Sequence, residues 1–308
     1  MKALAVILEA PERLSVRPLD LDPMGRGDVR VEIAYSGVSS GTEKLLWTGR
    51  MPTFPGMGYP LVPGYESVGR VVDAGADVRA RIGEWVFVPG ATCYSRARGL
   101  FGGSASTVIL PSARAMPVAE SLGSDGVLIA LAATAYHAIA AGSTPELIVG
   151  HGVLGALTAR IAIACGADKP TVWETRADRR DALDYDVIHP DADARRDYRA
   201  IIDASGDGAG LDGLIGRLAK GGEIVLAGFY DRLSFAFPPA FMREARLRIS
   251  AEFTPADIAA VTRLIDCGLL ELDGLISHIR PATQADQAYP AAFTDPECRK
   301  MVLDWRTQ

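Results

Sequence analysis

The sequence predicts an α/β protein of two domains, an antiparallel β-rich part followed by a doubly wound parallel sheet with crossover helices. Three observations predict it. Period-two alternation with Gly and Pro punctuation runs through residues 1–118, strand and helix patterns alternate through 119–250, and a G-x-G-x-x-G run stands directly between a strand and a helix in the second part.

In the first part, Val29, Val31, Ile33 and Tyr35 alternate with Asp28, Arg30, Glu32 and Ala34, as a half-buried strand requires. The apolar run after Lys2 meets Glu9 after six residues. It is too short for a secretory segment and reads as the first strand. Further short strands are expected at 14–17, 67–73, 85–88 and 106–110, closing into a barrel or sandwich. In the second part, strands are expected at 147–149, 171–173, 201–203 and 223–227. Helices are expected at 153–165 and 210–218, with Gly221-Gly222 as a turn. The last stretch, 251–308, holds one clear helix at 256–267 and strand-like pieces at 275–279 and 301–303. It is expected to fold back onto the first domain. The expected division is therefore 1–118, 119–250 and 251–308.

The chain has 308 residues, is 48% hydrophobic and carries a net charge of -6, which leaves no electrostatic footprint for nucleic acid. Arg195, Arg196 and Arg199 are interleaved with Asp193 and Asp197 and read as a solvated face. The four cysteines, Cys93, Cys165, Cys267 and Cys298, lie far apart with no C-x-x-C. That argues for a reducing compartment, hence a cytoplasmic protein, without a disulfide frame. The most apolar stretch, 127–142, is shorter than a membrane span and reads as a buried helix. Peripheral membrane contact and a homo-oligomer stay open.

The strongest chemical signal is Gly150-His151-Gly152-Val153-Leu154-Gly155. Gly150 allows a tight turn, Gly152 lets backbone approach a pyrophosphate, and Gly155 permits close helix–strand packing. The following helix, beginning near Val153, presents free N–H groups to the phosphates. The next strand ends at Glu174, where a carboxylate accepts from ribose hydroxyls and repels a 2′-phosphate, favouring NAD over NADP. Arg176, Arg179 and Arg180 follow closely and keep NADP open. His151 is read as either binding a phosphate or facing solvent. Ser205, in the turn after Asp203, is expected to line the cofactor crevice.

The segments 37–43 and 63–69, the glycine loop, 219–228 and 300–303 occur in the order and spacing of medium-chain alcohol dehydrogenases, and the chain resembles that family over its whole length. The resemblance implies a GroES-like β domain, an inserted Rossmann domain and an active site in the cleft between them. It also implies that Thr134 lies beside the nicotinamide. Zinc-using members carry a cysteine near Ser39 or Ser40, a histidine where this chain has Tyr65, and a cysteine near Ala130. Hydroxyl, phenol and methyl groups do not bind zinc as thiolate and imidazole do, so no metal is expected. The long block 35–66 is similar to a pigment-synthesis branch of that family. That likeness implies NAD-linked oxidation of the 1-hydroxyethyl group at C3 of a chlorin ring to 3-acetyl.

Without a metal, another group must stabilise the developing oxyanion. Tyr65 is the first candidate, as hydrogen-bond partner or general base, with Ser39 or Ser40 as relay. Glu43 and Glu66 are alternative bases, or are paired with Arg50, Lys44 or Arg70. His137 reads as a helix histidine or as a ligand for the pigment's magnesium. Trp47, Met51, Phe54, Met57 and Tyr59 are candidates for one wall of an apolar pocket, and Phe229, Tyr230, Phe235, Phe237 and Phe241 for the other. Two other functions remain: a zinc-independent quinone or enone reductase, and a non-catalytic nucleotide-binding scaffold for pigment enzymes.

Overall fold

The computed structural model describes residues 1–180 and 184–307. The chain forms two compact units, one made of Met1–Ala130 with Leu272–Gln308, the other of Leu131–Glu271. Their limits fall later than 118 and 250, because the helix Pro255–Asp266 belongs to the second unit and the chain returns to the first only after it.

The first unit is built on the strand Asp28–Val38. It pairs antiparallel with Ser67–Ala74, with Thr107–Pro111 and with Met301–Asp304. The expected alternation holds here, with Val29 and Val31 fully buried and Ile33 nearly so. The hairpin of Lys2–Ala10 and Arg13–Asp20 forms a second, smaller sheet, and the two share one core. Met301 lies opposite Val38 and Leu303 opposite Ser36, which places the end of the chain against the central strand. Two helices here carry no clear period in the sequence. Thr42–Thr48 has two turns, and Ala285–Thr294 contains Pro290, which reads as a breaker. The strand expected at 275–279 lies a little later, at His278–Pro281.

In the second unit, six strands run in the order Val187–Ile188, Thr171–Trp173, Leu147–Val149, Tyr198–Asp203, Leu218–Leu226 and Arg246–Ile249 among the described residues, all parallel. The helix Val153–Ala164 is buried nearly all round, as its composition implied. The helix expected at 210–218 shortens to Leu211–Ile215. The chain is already extended from Leu218, and Gly221-Gly222 lies inside that strand where the pairing register shifts. A helical run from Glu120 to Ala140, longer than the stretch expected, has 21 residues and mean hydropathy 1.3. Leu128, Ile129, Ala130, Ala132 and Ala133 in it are fully buried, the pattern of a core helix.

The glycine loop is closed by contact. A Cβ on Gly155 would stand 1.8 Å from the Gly150 carbonyl oxygen, so the helix Val153–Ala164 can approach its strand only with glycine there. Gly155→Ala is expected to cost about 1–3 kcal/mol by overpacking, read as a lowered thermal midpoint; an unchanged midpoint would show that this packing is not needed.

Candidate active site

The glycine loop of the second unit follows Leu147–Val149, and the helix Val153–Ala164 starts at Gly152. Gly150 adopts φ 93°, a region costly for any side chain. A Cβ on Gly152 would meet nothing within 4 Å, so the loop is open on that side. The first-turn amides of the helix have no intrahelical carbonyl to reach, and they offer donors to an anion. Ser205 is exposed in the turn after Tyr198–Asp203, its backbone beside Gly150, and its hydroxyl and amide both donate to the buried Asp203 carboxylate.

His151 departs from both expectations. Its side chain faces neither a phosphate nor solvent; it is buried, with Nδ1 2.7 Å from the Arg179 carbonyl and Nε2 2.8 Å from the Tyr185 hydroxyl. A carbonyl can only accept, so Nδ1 donates to Arg179, and both ring nitrogens are engaged. Its ring thus ties the glycine loop to the segment after Thr171–Trp173. Glu174, at the end of that strand, accepts from the amides of His151 (3.2 Å) and Arg176 (2.9 Å). Arg176 is occupied by Asp178. Thr134 and His137 lie on the helix Ile129–Ala140, where His137 Nδ1 is 2.9 Å from Asp257. Asp257 also closes the Thr254 capping box.

In the first unit, the turn after Asp28–Val38 brings Ser39 to Tyr65, whose phenol donates to Ser39 Oγ at 2.8 Å. Ser40 points to solvent, so of the two candidate hydroxyls Ser39 is the one joined to Tyr65. The ring of Tyr65 packs edge-on against Phe101 at 5.2 Å. Burial, and next the Glu66 carboxylate, push the Tyr65 phenol well above its ordinary range. The phenol is held protonated and donates to Ser39 Oγ.

Glu43 and Glu66 are both fully buried. Glu66 Oε2 is paired with the buried Lys300 ammonium, and Glu43 Oε2 accepts from the Tyr289 hydroxyl at 2.8 Å. Neither uses the cations expected from sequence. Lys44 donates to the Phe293 carbonyl, Arg50 to Thr48 and Arg70 to Glu120. Lys300 and Tyr289 escaped the sequence reading, although Lys300 opens the 300–303 motif. Burial, then the Glu66 carboxylate, raise the Glu43 carboxyl to about 8.

At the positions where the family resemblance places zinc ligands stand Ser39 (or its neighbour Ser40), Tyr65 and the fully buried Ala130. The two hydroxyls are bonded to each other, and no thiolate or imidazole is among the three. This donor set does not fit zinc. Among the described residues no group of three or more His, Cys, Asp or Glu is placed to share a metal ion.

Of the first proposed pocket wall, Trp47, Met51, Met57 and Tyr59 pack onto the core of the first unit, and the Tyr59 hydroxyl donates to the Leu46 carbonyl. Phe54 is exposed. Of the second set, Tyr230 packs inward and donates to the Asp203 carbonyl at 3.0 Å. Phe235, Phe237 and Phe241 instead line a surface groove of about 410 Å³ with Met242 and Leu247.

Comparison with known proteins accords with this architecture. Residues 25–120 match the alcohol dehydrogenase GroES-like domain. The chain is 54% identical to the 2-desacetyl-2-hydroxyethyl bacteriochlorophyllide A dehydrogenases of Cereibacter sphaeroides and Rhodobacter capsulatus, over 99% of this chain and 99% of each relative. Among solved structures, an Escherichia coli alcohol dehydrogenase complexed with NADH superposes with a TM-score of 0.84 at 20% identity. It covers 99% of both chains. A zinc-binding dehydrogenase from Sinorhizobium meliloti bound to NADP gives 0.83 at 21%, with the same coverage. These likenesses show the medium-chain fold, a GroES-like domain with a parallel-sheet Rossmann domain. The chain is an oxidoreductase that belongs to the bacteriochlorophyllide dehydrogenase family of the medium-chain dehydrogenases.

Proposed function

We propose that the chain oxidises the C3 1-hydroxyethyl group of a bacteriochlorophyllide to an acetyl group, passing the hydride to NAD and releasing the hydroxyl proton to water, without zinc. The observation that carries this reading is the 54% identity, along 99% of both chains, to relatives named for that activity. The four cysteines, spaced without a disulfide frame, suit a reducing, cytoplasmic setting.

The residues present fit a dinucleotide. The open side of the Gly150–Gly155 turn and the helix start at Gly152 suit a pyrophosphate, and Glu174 ends the neighbouring strand with its carboxylate against the loop. When bound, the nicotinamide supplies the hydride acceptor. A carboxylate at Glu174 accepts from a ribose hydroxyl and repels a 2′-phosphate, which supports NAD. The quinone or enone reductase alternative prefers NADPH and is less well served by this residue.

In the first unit, Tyr65 replaces electrophilic assistance by a metal with a hydrogen bond. Its phenol stays protonated, and with substrate bound that one proton turns from Ser39 Oγ to the substrate oxygen as negative charge develops there, the Ser39 hydroxyl donating to the phenol in its place. Ser39 Oγ, which holds that phenol at 2.8 Å, orients it. The product ketone is conjugated with the macrocycle, which lowers the electrophilic help needed.

We also infer that the second unit pairs with a second copy of this chain. The strand Arg246–Ile249 is a sheet edge with one side unpaired by any described strand. Beside it Phe237, Phe241, Met242 and Ile249 are each 65–76% exposed. A fully buried aromatic accounts for about 150–250 Å², so these side chains supply a large share of the roughly 800 Å² per partner that a stable pair needs. Two copies pairing edge to edge about a two-fold axis satisfy the free backbone groups and cover the aromatics.

With 3-(1-hydroxyethyl) bacteriochlorophyllide and NAD, pigment absorption and NADH fluorescence are expected to change together; neither changing would defeat the substrate assignment. Tyr65→Phe is expected to lower kcat by about 10²–10³ with dinucleotide affinity retained, and an undiminished kcat would remove Tyr65 from the chemistry. Fluorescence titration is expected to show tighter binding of NADH than of NADPH, with the preference reduced in Glu174→Ser; equal affinities in the parent would end the argument from Glu174. Light scattering after size exclusion is expected to give twice the chain mass, and Ile249→Glu to give the single mass. A monomeric parent would refute the paired edge.

A further inference from the structure

Two carboxylates and one ammonium share the interior of the first unit. Glu66 and Lys300 neutralise each other, with side chains 0% and 3% exposed. Glu43, also fully buried, has Tyr289 as its side-chain partner, and its Oε1 has no hydrogen bond among the described residues, like Oε1 of Glu66. The groups that face Glu43 come from three neighbouring segments. They are Tyr65 and Glu66 before the strand Ser67–Ala74, Tyr289 on the helix Ala285–Thr294, and Lys300 before Met301–Asp304. Among them Lys300 is the one cation, and Glu66 already holds it. An ionised Glu43 is therefore a second buried anion beside the first, without a counter-charge.

The same carboxyl lies at the base of the site. The Ser39 backbone N–H donates to Glu43, while Ser39 Oγ accepts from Tyr65. Thr42, at the start of the helix that carries Glu43, also reaches the Tyr65 phenol with its hydroxyl. Any charge on Glu43 is felt at Tyr65, where it opposes negative charge on a substrate oxygen.

We propose that Glu43 is held as a neutral carboxylic acid by its burial beside the Glu66 carboxylate, whose one ammonium is already taken, and that this stored proton makes it the positioning residue that keeps the Tyr65–Ser39 pair free of uncompensated negative charge. Where turnover is concerned, the inference rests on the dehydrogenase reading above; the stored proton itself does not.

Two measurements need no substrate. The raised Glu43 carboxyl means that the folded state binds a proton more tightly than the unfolded chain. Its contribution to stability is complete below the ordinary carboxylate range and is lost as pH rises to about 8. The thermal midpoint of the parent is expected to fall across that window relative to Glu43→Gln, which keeps the shape and cannot ionise. Infrared spectra at pH 6 are expected to show a protonated-carboxyl band in the parent that Glu43→Gln lacks. In turnover with pigment and NAD, the parent is expected to lose kcat on an alkaline limb that is absent in Glu43→Gln. Tyr289→Phe removes a bond that favours the ionised form, so its limb is expected to move to higher pH, with KM for NAD unmoved. Parallel melting profiles and no difference in the carboxyl band would overturn the proposal, as would an alkaline limb kept intact in Glu43→Gln. Absence of turnover in every variant would overturn the substrate assignment instead, leaving the melting and infrared results to decide whether the proton is there.

Discussion

A carboxylate taken out of water needs a cation, and the first unit is organised around that need. Glu66 is fully buried three residues after Pro63, and its cation comes from Lys300, 234 residues later. The pair forms because Met301–Asp304 lies antiparallel on Asp28–Val38, which delivers Lys300 to the loop. The fit is close. The Gly37 amide donates to the Glu66 carbonyl at 2.7 Å, and a Cβ on Gly37 would stand 2.3 Å from Glu66 Oε2. Breaking such a pair from one side typically costs about 3–5 kcal/mol, because the remaining charge stays buried. The return of the chain end to the first unit is thus bound to the charge of the site loop, and Tyr65 and Ser39 take their positions from that frame.

The second unit solves a different problem, holding an irregular glycine turn still without side chains at the turn itself. It does so from behind. His151 projects inward to the Arg179 carbonyl and Tyr185, while its amide donates to Glu174. Loop, strand end and following segment are joined by three hydrogen bonds from one residue. The histidine is consequently a structural pin, and the proposed phosphate site is left to backbone N–H groups.

What was legible in the sequence was local. The strands Leu147–Val149 and Thr171–Trp173 and the glycine turn were read to the residue, because strand period and glycine stereochemistry act over a few positions. The link of Tyr65 to a hydroxyl at Ser39 or Ser40 follows from the family resemblance, and the structure joins it to Ser39. The partners of Glu43 and Glu66 were not legible. Lys44, Arg50 and Arg70 were close in sequence, yet Tyr289 and Lys300 won from 246 and 234 residues away. Sheet pairing decides such contacts, and single-chain pattern carries no record of them. The helix holding Tyr289 was hidden by Pro290, and the direction of His151 depended on Tyr185, outside the motif.

Replacing a metal by a phenol changes the electrostatics that the surroundings must supply. A dication lowers the energy of an alkoxide whatever carboxylates lie nearby, whereas a neutral phenol offers one hydrogen bond and tolerates little negative charge beside it. Around Tyr65 the nearest carboxylate, Glu66, carries its own ammonium, and the next, Glu43, lies beyond reach of any second cation. Burial that would be prohibitive for a free anion is then consistent with a proton on Glu43, and the phenol meets a field close to neutral. On the proposed reading, the lysine near the end of this chain stands in, electrically, for part of what zinc does elsewhere: it cancels the fixed negative charge, and the hydrogen bond from Tyr65 is left to act on the oxygen that reacts.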